Sequence, residues 1–307
     1  EQANTADGTA LILYGGFKVS VGSVFNDNSK QGIVSRTTAA IFIEGGTIST
    51  ECVRTSYVAG THRGAFTMSG GDLTIRGANL PNLGGMNVYA SFTLPYPDNV
   101  LNISGGTINI LSPNPIAGGS GSNFSMVIGA DPKNIKITGG TINLTVPAAR
   151  DAYFASTSPF WDLNIISAVV NRSAQPRTYT ANATVPTAIP AQPLNVLNNL
   201  VLQNTAVLTS GPNNVDVLVS RDFIINTNAR YTPGTNTTSF NGTGPQMFIV
   251  DGAITANLNN LSLINSSDLT LYGNNLIVLN DLTISQGCIL RDNGRTVTVQ
   301  GNISNSG

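Results

Sequence analysis

In the first half of the chain, hydrophobic and polar residues alternate in short runs that meet at a pair of glycines. The clearest run is residues 101–110, where leucine and isoleucine alternate with polar residues on both sides of Gly105-Gly106. A period of two residues is typical of a half-buried β-strand, whereas an amphipathic helix repeats every 3.6 residues. Near copies of this run are residues 41–50, 66–75 and 135–144. Each copy therefore predicts two strand arms joined at a glycine corner.

The parity of the hydrophobic positions requires a bend at each corner. Strict alternation from Ile103 would place Ile108 on the outer face, so the glycine pair must take up a slip of one residue before Ile108 can face the core. Glycine accepts the positive φ angle of such a bend, at which a β-branched residue is strained. Residues 11–19 also surround a glycine pair but lack the slip, and we predict that they are a weaker copy.

The corners recur at a spacing typical of solenoids. Successive glycine pairs are 25, 35 and 34 residues apart, a range in which one supersecondary unit stacks on the next. A second motif, Leu-Asn-Asn-Leu and its close variants, follows at residues 197–202, 258–263 and 279–284, with residues 160–165 as an earlier variant. Stacked turns place like residues over like. We therefore expect inward columns of leucine and isoleucine, and corner asparagines that hydrogen-bond to the next turn.

These repeats predict an all-β fold, a right-handed parallel β-helix (β-solenoid). Residues 1–146 form the solenoid with glycine corners, and residues 197–307 continue it with the Leu-Asn-Asn-Leu repeats. Residues 147–196 are rich in proline, which does not fit a central strand, and predict an irregular junction or insertion near the middle. A β-sandwich or barrel also has short strands, but it has no reason to repeat the same corner at this spacing.

The composition favours strands over helices and argues against two kinds of partner. Charged residues are 10% of the chain, and asparagine, threonine, serine and glycine, which are poor helix formers, fill the polar positions. A formal net charge of −1 and scattered lysines give no basic patch for nucleic acid. No apolar run reaches the roughly 18 residues of a membrane span. We expect almost no helix, no nucleic-acid partner and no membrane span in this segment.

A long string in the second half resembles a known group of surface proteins. Residues 237–285, TTSFNGTGPQMFIVDGAITANLNNLSLINSSDLTLYGNNLIVLNDLTIS, and TVTVQGNISNSG from residue 296 onward resemble the repeat regions of very large secreted surface proteins of Bacteroidota. These include the adhesins of gliding bacteria, which the type IX secretion system exports. The glycine-corner copies look like the parallel β-helix turns of the same proteins, of autotransporter passengers and of pectin-lyase-like enzymes. The resemblance, carried by residues 195–307, implies display outside the bacterial cell and an adhesive or structural task.

Residues that could carry chemistry are few and scattered. A general base at His62 would need an orienting carboxylate and a nucleophile beside it, and we interpret this histidine as a loop residue. Cys52 and Cys288 lack the spacing of metal ligands and are predicted to be buried, unpaired thiols. Asp27 and Asp98 could bind calcium, although neither fits the spacing of a known calcium loop. The sequence thus predicts no catalytic residue, no cofactor and no metal site.

One aromatic group is a candidate for ligand binding. Tyr89, Phe92 and Tyr96 lie close together in sequence beside a Pro-rich loop and could stack on sugar rings, with core or loop packing as the alternative interpretation. A β-helix that cleaves acidic polysaccharides requires clustered carboxylates. Elimination also requires calcium and a basic residue, whereas hydrolysis requires paired aspartates. The chain contains no Asp-Asp pair.

Together these features favour a non-enzymatic structural or adhesive segment of a large extracellular bacterial surface protein, a stiff β-helical rod or filament that serves cell adhesion or gliding motility. The expected partners are further solenoid repeats of the same polypeptide or of like chains, together with surface polysaccharide. Residues 296–303 still read as strand, so we expect neighbouring sequence or another copy to cover that end of the stack. The alternatives are a polysaccharide-active pectin-lyase-like enzyme and a phage or virus fibre segment.

Overall fold

The protein is built almost wholly of β-strands. A computed structural model describes residues 2–5, 8–29, 31–36, 38–55, 64–77, 90–113, 124–146, 152–167, 177–180, 191–210, 214–252 and 256–307. Within these ranges the one helical element is a single 3-10 turn, Pro132–Asn134, in line with the composition. The chain divides into two compact units. Unit 1 comprises Glu1–Thr145, Arg150–Ser158 and Thr184–Pro190, and unit 2 comprises Val146–Ala149, Pro159–Ala183 and Ala191–Gly307.

Unit 1 winds its strands into two main sheets. Its strands are β1 Gln2–Thr5, β2 Gly8–Leu13, β3 Gly16–Val19, β4 Val24–Asn26, β5 Ile33–Ser35, β6 Ala40–Ile43, β7 Thr47–Thr50, β8 Val53–Thr55, β9 Ala65–Ile75, β10 Phe92–Leu94, β11 Val100–Ile110, β12 Phe124–Ile128, β13 Ile135–Val146 and β14 Ala152–Ser156. Sheet A has the order β2-β5-β8-β10-β12-β14, and sheet B has the order β3-β6-β9-β11-β13, with β4 and β7 beside the second arm of β9. Each turn of chain, here called a rung, contributes to both sheets and pairs in parallel with the next rung. This pairing is that of a parallel β-helix, as the repeats predict. Only β1, which pairs antiparallel with β2, departs from it among the described strands of this unit.

The glycine corners stack as the sequence predicts. The four copies are in register, for example Ile103 with Ile137 and Ile108 with Ile142, and the pairing shifts between them at the glycines. Ile103 and Ile108 are both buried, although they are five positions apart and strict alternation would place them on opposite faces. The second glycine of every pair has positive φ, from 72° at Gly46 to 91° at Gly140. The predicted slip is confirmed.

The prediction that residues 11–19 are a fifth, weaker copy is wrong. Leu11 pairs with Ile33 in sheet A, whereas Phe17 pairs with Ile41 in sheet B, so this stretch crosses from one sheet to the other. The equivalent rung is residues 17–26. Its corner is Val21-Gly22, in which Gly22 has a φ of 79°.

Unit 2 contributes three strands from each rung. Its strands are β15 Asp162–Ser167, β16 Arg177–Thr180, β17 Leu194–Val196, β18 Leu200–Gln203, β19 Ala206–Thr209, β20 Val217–Val219, β21 Phe223–Ile225, β22 Arg230–Thr232, β23 Thr237–Phe240, β24 Pro245–Val250, β25 Ala256–Leu258, β26 Asn260–Leu263, β27 Asp268–Gly273, β28 Leu276–Val278, β29 Leu282–Ile284, β30 Ile289–Arg291, β31 Val297–Val299 and β32 Ile303–Asn305. One sheet has the order β17-β20-β23-β26-β29-β32 and another the order β15-β18-β21-β24-β27-β30. The third side consists of β16-β19-β22 and of β25-β28-β31. Each described pair in these sheets is parallel, and along the β17 sheet the paired residues lie 21 or 23 positions apart.

The Leu-Asn-Asn-Leu strings do not all stack on one another. Leu261 pairs with Leu282 in the β17 sheet, as expected for stacked copies. Leu200 instead pairs with Leu163 and with Phe223 in the β15 sheet. The string at 197–202 therefore stacks on its earlier variant, residues 160–165, and lies on a different side of the solenoid from the later copies.

The described part of the predicted junction contains strands. β14, β15, β16 and β17 all begin between residues 147 and 196. Residues 147–151, 168–176 and 181–190 lie outside the described residues. The domain boundaries 1–146, 147–196 and 197–307 thus stay a prediction.

Candidate functional site

The aromatic residues predicted to bind ligand do not form a surface group in the described part of the chain. Phe92 on β10 is 1% exposed, and its ring packs edge-on against Phe66 with a centroid distance of 5.1 Å. Tyr96 is half-buried in the turn after β10, where its N–H donates to Asn99 Oδ1 at 3.0 Å. Tyr89 lies outside the described residues. Phe92 is therefore a core side chain whose ring is closed to a sugar.

The other residues considered from sequence are scattered. His62 lies outside the described residues, and Asp98 is exposed in the turn that follows β10. Cys52 and Cys288 are both free and buried, which confirms the expectation of buried thiols. Within the described ranges, no group of three or more histidine, cysteine, aspartate and glutamate side chains could hold a metal ion.

A group of charged and polar side chains in unit 1 lies where the chain leaves sheet B. We call Asp27, Thr50, Glu51, Cys52 and Arg76 the corner cluster. Arg76 follows β9 directly, and its Nε donates to Glu51 Oε2 at 3.2 Å. Its two other guanidinium nitrogens donate to Ser49 Oγ at 2.7 Å and to the backbone oxygen of Asp27 at 2.6 Å. One arginine therefore bridges three successive rungs.

Asp27 of the corner cluster is buried and hydrogen-bonded. Its Oδ1 accepts from the Ser29 N–H at 2.9 Å, and its Oδ2 accepts from Thr50 Oγ1 at 2.7 Å. Burying a neutral polar group without a hydrogen bond costs roughly 2–7 kcal/mol, and burying a carboxylate without one costs more, so a buried carboxylate needs such donors. Asp27, which was considered as a calcium ligand but not predicted to be one, thus has both of its carboxylate oxygens hydrogen-bonded within the protein.

Cys52 of the corner cluster is a thiol rather than a nucleophilic thiolate. Burial raises the pKa of the Cys52 thiol to about 12, and Glu51 and Asp27 act in the same direction, while Arg54 opposes them. The S–H group donates to the backbone oxygen of Gln31 at 2.8 Å. A thiol must ionise to attack or to bind a metal, so this group is chemically quiet near neutral pH. The chemistry that the corner cluster supports is cohesion between rungs.

Unit 2 uses aspartate and asparagine at its corners for the same purpose. Asp222 Oδ1 accepts from the Met247 N–H of the next rung at 2.9 Å. Asn260 Oδ1 accepts from Asn280 Nδ2 at 2.8 Å, which is the asparagine-to-asparagine bond expected from sequence. Further pairs of this kind are Asp162 with Asn199, Asn214 with Thr235, Asp216 with Thr237, Asn275 with Thr296, and Asp281 with Asn302. Corner side chains in this unit therefore join each rung to its neighbour.

Sequence reasoning missed the corner cluster because its members are far apart in the chain. Asp27, Thr50 and Arg76 are separated by 23 and 26 residues, close to one rung. That spacing is a usable signal once the rung length is known, because polar residues one rung apart at a corner lie next to each other.

Two further findings concern the whole chain. Among the residues that the structure describes, no helix has the length and apolar character needed to span a bilayer. No protein-family model, curated protein or solved structure matches the chain.

Proposed function

We propose that the chain is a non-enzymatic structural or adhesive segment of a large, secreted bacterial surface protein, in which stacked rungs act as a stiff spacer. The observation that carries this proposal is the use of the polar side chains. At the corners of unit 2 they accept hydrogen bonds from the next rung, and in unit 1 the half-buried Arg76 of the corner cluster bridges successive rungs. Side chains used in this way serve cohesion rather than catalysis.

The mechanism follows from how load would pass between rungs. Parallel ladders join each rung to the next, and aliphatic and aromatic columns fill the interior, as with Phe223 over Phe248 at a centroid distance of 5.4 Å. Corner hydrogen bonds add about 0.5–1.5 kcal/mol each in net terms. Many such bonds must break at the same time before one rung can separate from its neighbour. The stack therefore resists bending and stretching.

Further solenoid rungs are the partners we propose, from the same polypeptide or from like chains. Ile289 and Ile303, on the outer rung of unit 2, are 44% and 64% exposed, and all three residues of β32 are exposed. An exposed parallel strand with unpaired backbone groups is a template for another strand. Surface polysaccharide is a second proposed partner, in keeping with the adhesive task. The resemblance of residues 195–307 to Bacteroidota gliding adhesins supports both, and the proposed location is the bacterial cell surface.

A pulling experiment tests the mechanical role. The chain is placed between marker domains and extended by atomic force microscopy. Release of single rungs of 21–23 residues should give repeated steps of about 70–80 Å, at roughly 3.5 Å per residue. Asp222→Ala should lower the force of one step, whereas Asp222→Asn, which keeps the acceptor, should not. Smooth extension without steps would contradict the proposal.

An activity panel separates the spacer from an enzyme. The chain is incubated with pectate, alginate and hyaluronan, with and without calcium, and unsaturated products and new reducing ends are measured. We expect no cleavage. Turnover of any of these polymers would replace the proposal with the polysaccharide-active alternative.

A further inference from the structure

The outer face of sheet A in unit 1 carries a buried arginine. On β8, Val53 faces the core, because it is in register with Phe92, whose ring packs on Phe66 of sheet B. Side chains alternate along a strand, so Arg54 points away from the core. Arg54 is nevertheless only 6% exposed. The outer face of this sheet is therefore removed from water at the point where a full positive charge lies.

The side chains beside Arg54 on this face do not take over the hydrogen bonds that water would make with it. Val34 on β5 is in register with Arg54, is buried, and clusters with Ala10 and Ile12. Thr93 on β10 lies on the other side, and its hydroxyl donates to the Ala90 backbone oxygen. The side formed by Val34 is thus apolar. On the side formed by Thr93, the hydroxyl proton is already used in the hydrogen bond to Ala90.

The guanidinium of Arg54 does not have all of its hydrogen bonds. Nη2 donates to Gln31 Oε1 at 3.1 Å, and this amide oxygen is neutral. Nε is buried and has no hydrogen-bond partner. A guanidinium has only hydrogen-bond donors, so the free Nε–H needs an acceptor.

No acidic side chain of the described residues forms an ion pair with Arg54. The two buried acids of the corner cluster have other partners, since Glu51 binds Arg76 and Asp27 accepts from Ser29 and Thr50. A buried charge that no ion pair neutralises is destabilising. An external anion at Arg54 would remove that cost.

We propose that Arg54, held in place by Gln31, is a binding site for a small carboxylate. The planar guanidinium offers N–H groups in a fixed fork, and a carboxylate matches two of them at once, which makes it a better fit than a spherical halide. The unused Nε–H supplies one prong, and a neighbouring terminal N–H supplies the other. The burial of Val34 and Thr93 restricts the ligand to a small molecule or a single exposed carboxylate group. This site does not depend on the mechanical role proposed above.

The test measures binding and stability in parallel. The probe is ¹³C-carboxyl acetate, observed by NMR line broadening, and the buffer anion is exchanged for chloride or phosphate at constant ionic strength. Wild type should broaden the acetate signal, and hydrogen exchange of peptides covering β8 should slow about tenfold for each tenfold rise in acetate above the dissociation constant. Arg54→Met should lose both responses. In chloride it should be at least as stable as wild type, because an uncompensated buried charge is gone.

Arg36→Met is the matched control. Its Nε also lacks a partner, but Arg36 is more exposed and its Nη1 donates to Tyr14. This variant should keep the full acetate response. The proposal is overturned if wild type does not bind acetate, if phosphate but not acetate binds, or if Arg54→Met responds to acetate as wild type does. The first two outcomes are read on wild type alone, so they hold even if the variant does not fold.

Discussion

Replacing Gly106 by alanine tests whether the corners of unit 1 stack as described. Gly106 has a φ of 84°, and an added Cβ would lie 2.6 Å from Met68 Cε and 2.8 Å from both the carbonyl carbon of Gly70 and the oxygen of Gly71. The methionine end can move, but the backbone of the neighbouring rung cannot move without disturbing the ladder. Left-handed backbone costs an alanine about 1–2 kcal/mol. Overpacking adds roughly 1–3 kcal/mol.

The net loss of unfolding free energy at Gly106 should be about 3 kcal/mol, after about 0.4–1 is returned through the stiffer unfolded chain. The assay is hydrogen exchange of peptides covering β9, β11 and β13, because a repeat array need not unfold in one step. Since about 1.4 kcal/mol corresponds to a factor of ten, exchange by opening of these rungs should become on the order of a hundred times faster.

Two other glycines of unit 1 serve as matched controls. Gly22 has a φ of 79° but nothing within 4 Å of an added Cβ, so backbone strain is the only cost of Gly22→Ala. The unfolding free energy should fall by about 1 kcal/mol. Gly105 has no positive φ, but its Cβ would lie 2.6 Å from the Ser69 oxygen, so Gly105→Ala should show the overpacking loss of roughly 1–3 kcal/mol alone. If Gly22→Ala were as damaging as Gly106→Ala, contact between stacked corners would not be the cause and the reasoning would fail.

Four further changes probe individual contacts. Asp222→Ala should cost about 1–3 kcal/mol, measured by hydrogen exchange of peptides covering β21 and β24, because the Met247 N–H loses its acceptor; Asp222→Asn should be close to wild type, and equal losses would contradict this account. Phe92→Ala should cost roughly 3–5 kcal/mol as a core truncation, and a loss near zero would mean that its ring lies at the surface. In a Cys288→Ser background, Cys52 should resist a thiol reagent at mildly alkaline pH until the chain is unfolded, because burial raises the pKa of this thiol to about 12; rapid labelling of the folded chain would refute this. Burial also raises the pKa of Tyr231 from 10.0 to about 12. The unfolded chain then loses this proton first, so the stabilising effect is full below pH 10 and is lost as pH rises toward 12. The urea midpoint should fall across that range, and Tyr231→Phe should fall less; an equal fall would show that other groups cause it.

The sequence predicts the corner of unit 1 well because its signal is local. A glycine pair and a change of parity both lie within ten residues, and both have a direct backbone cause. The rung at 17–26 escapes the pattern because Val21 stands where later rungs have their first glycine. Gly70 and Gly105 need to be glycine because an added Cβ would meet the backbone of the preceding rung. Val21 is 83% exposed and has no such neighbour, so only the glycine with positive φ is retained there.

Features that depend on register between rungs are harder to predict. The string at 197–202 has the right alternation for a buried strand, but alternation is the same on every side of the solenoid and does not say which sheet it joins. Phe92 lies close to tyrosines in sequence, and only the pairing of β10 decides that its ring faces inward. The corner cluster and Arg54 depend on which residues stand one rung apart, which becomes visible only when the rung length is known at each turn.

Unequal rung lengths in unit 1 have a consequence for how such a chain can change over generations. Gly46 and Gly71 are 25 residues apart, and Gly71 and Gly106 are 35 apart, yet all three occupy equivalent places in the stack. The additional ten residues leave the interior columns in the same alignment. Insertions and deletions between corners therefore have little effect on the folding of the framework. A lineage could diversify what the molecule displays, by recombination or slippage within these stretches, while inheriting its architecture intact.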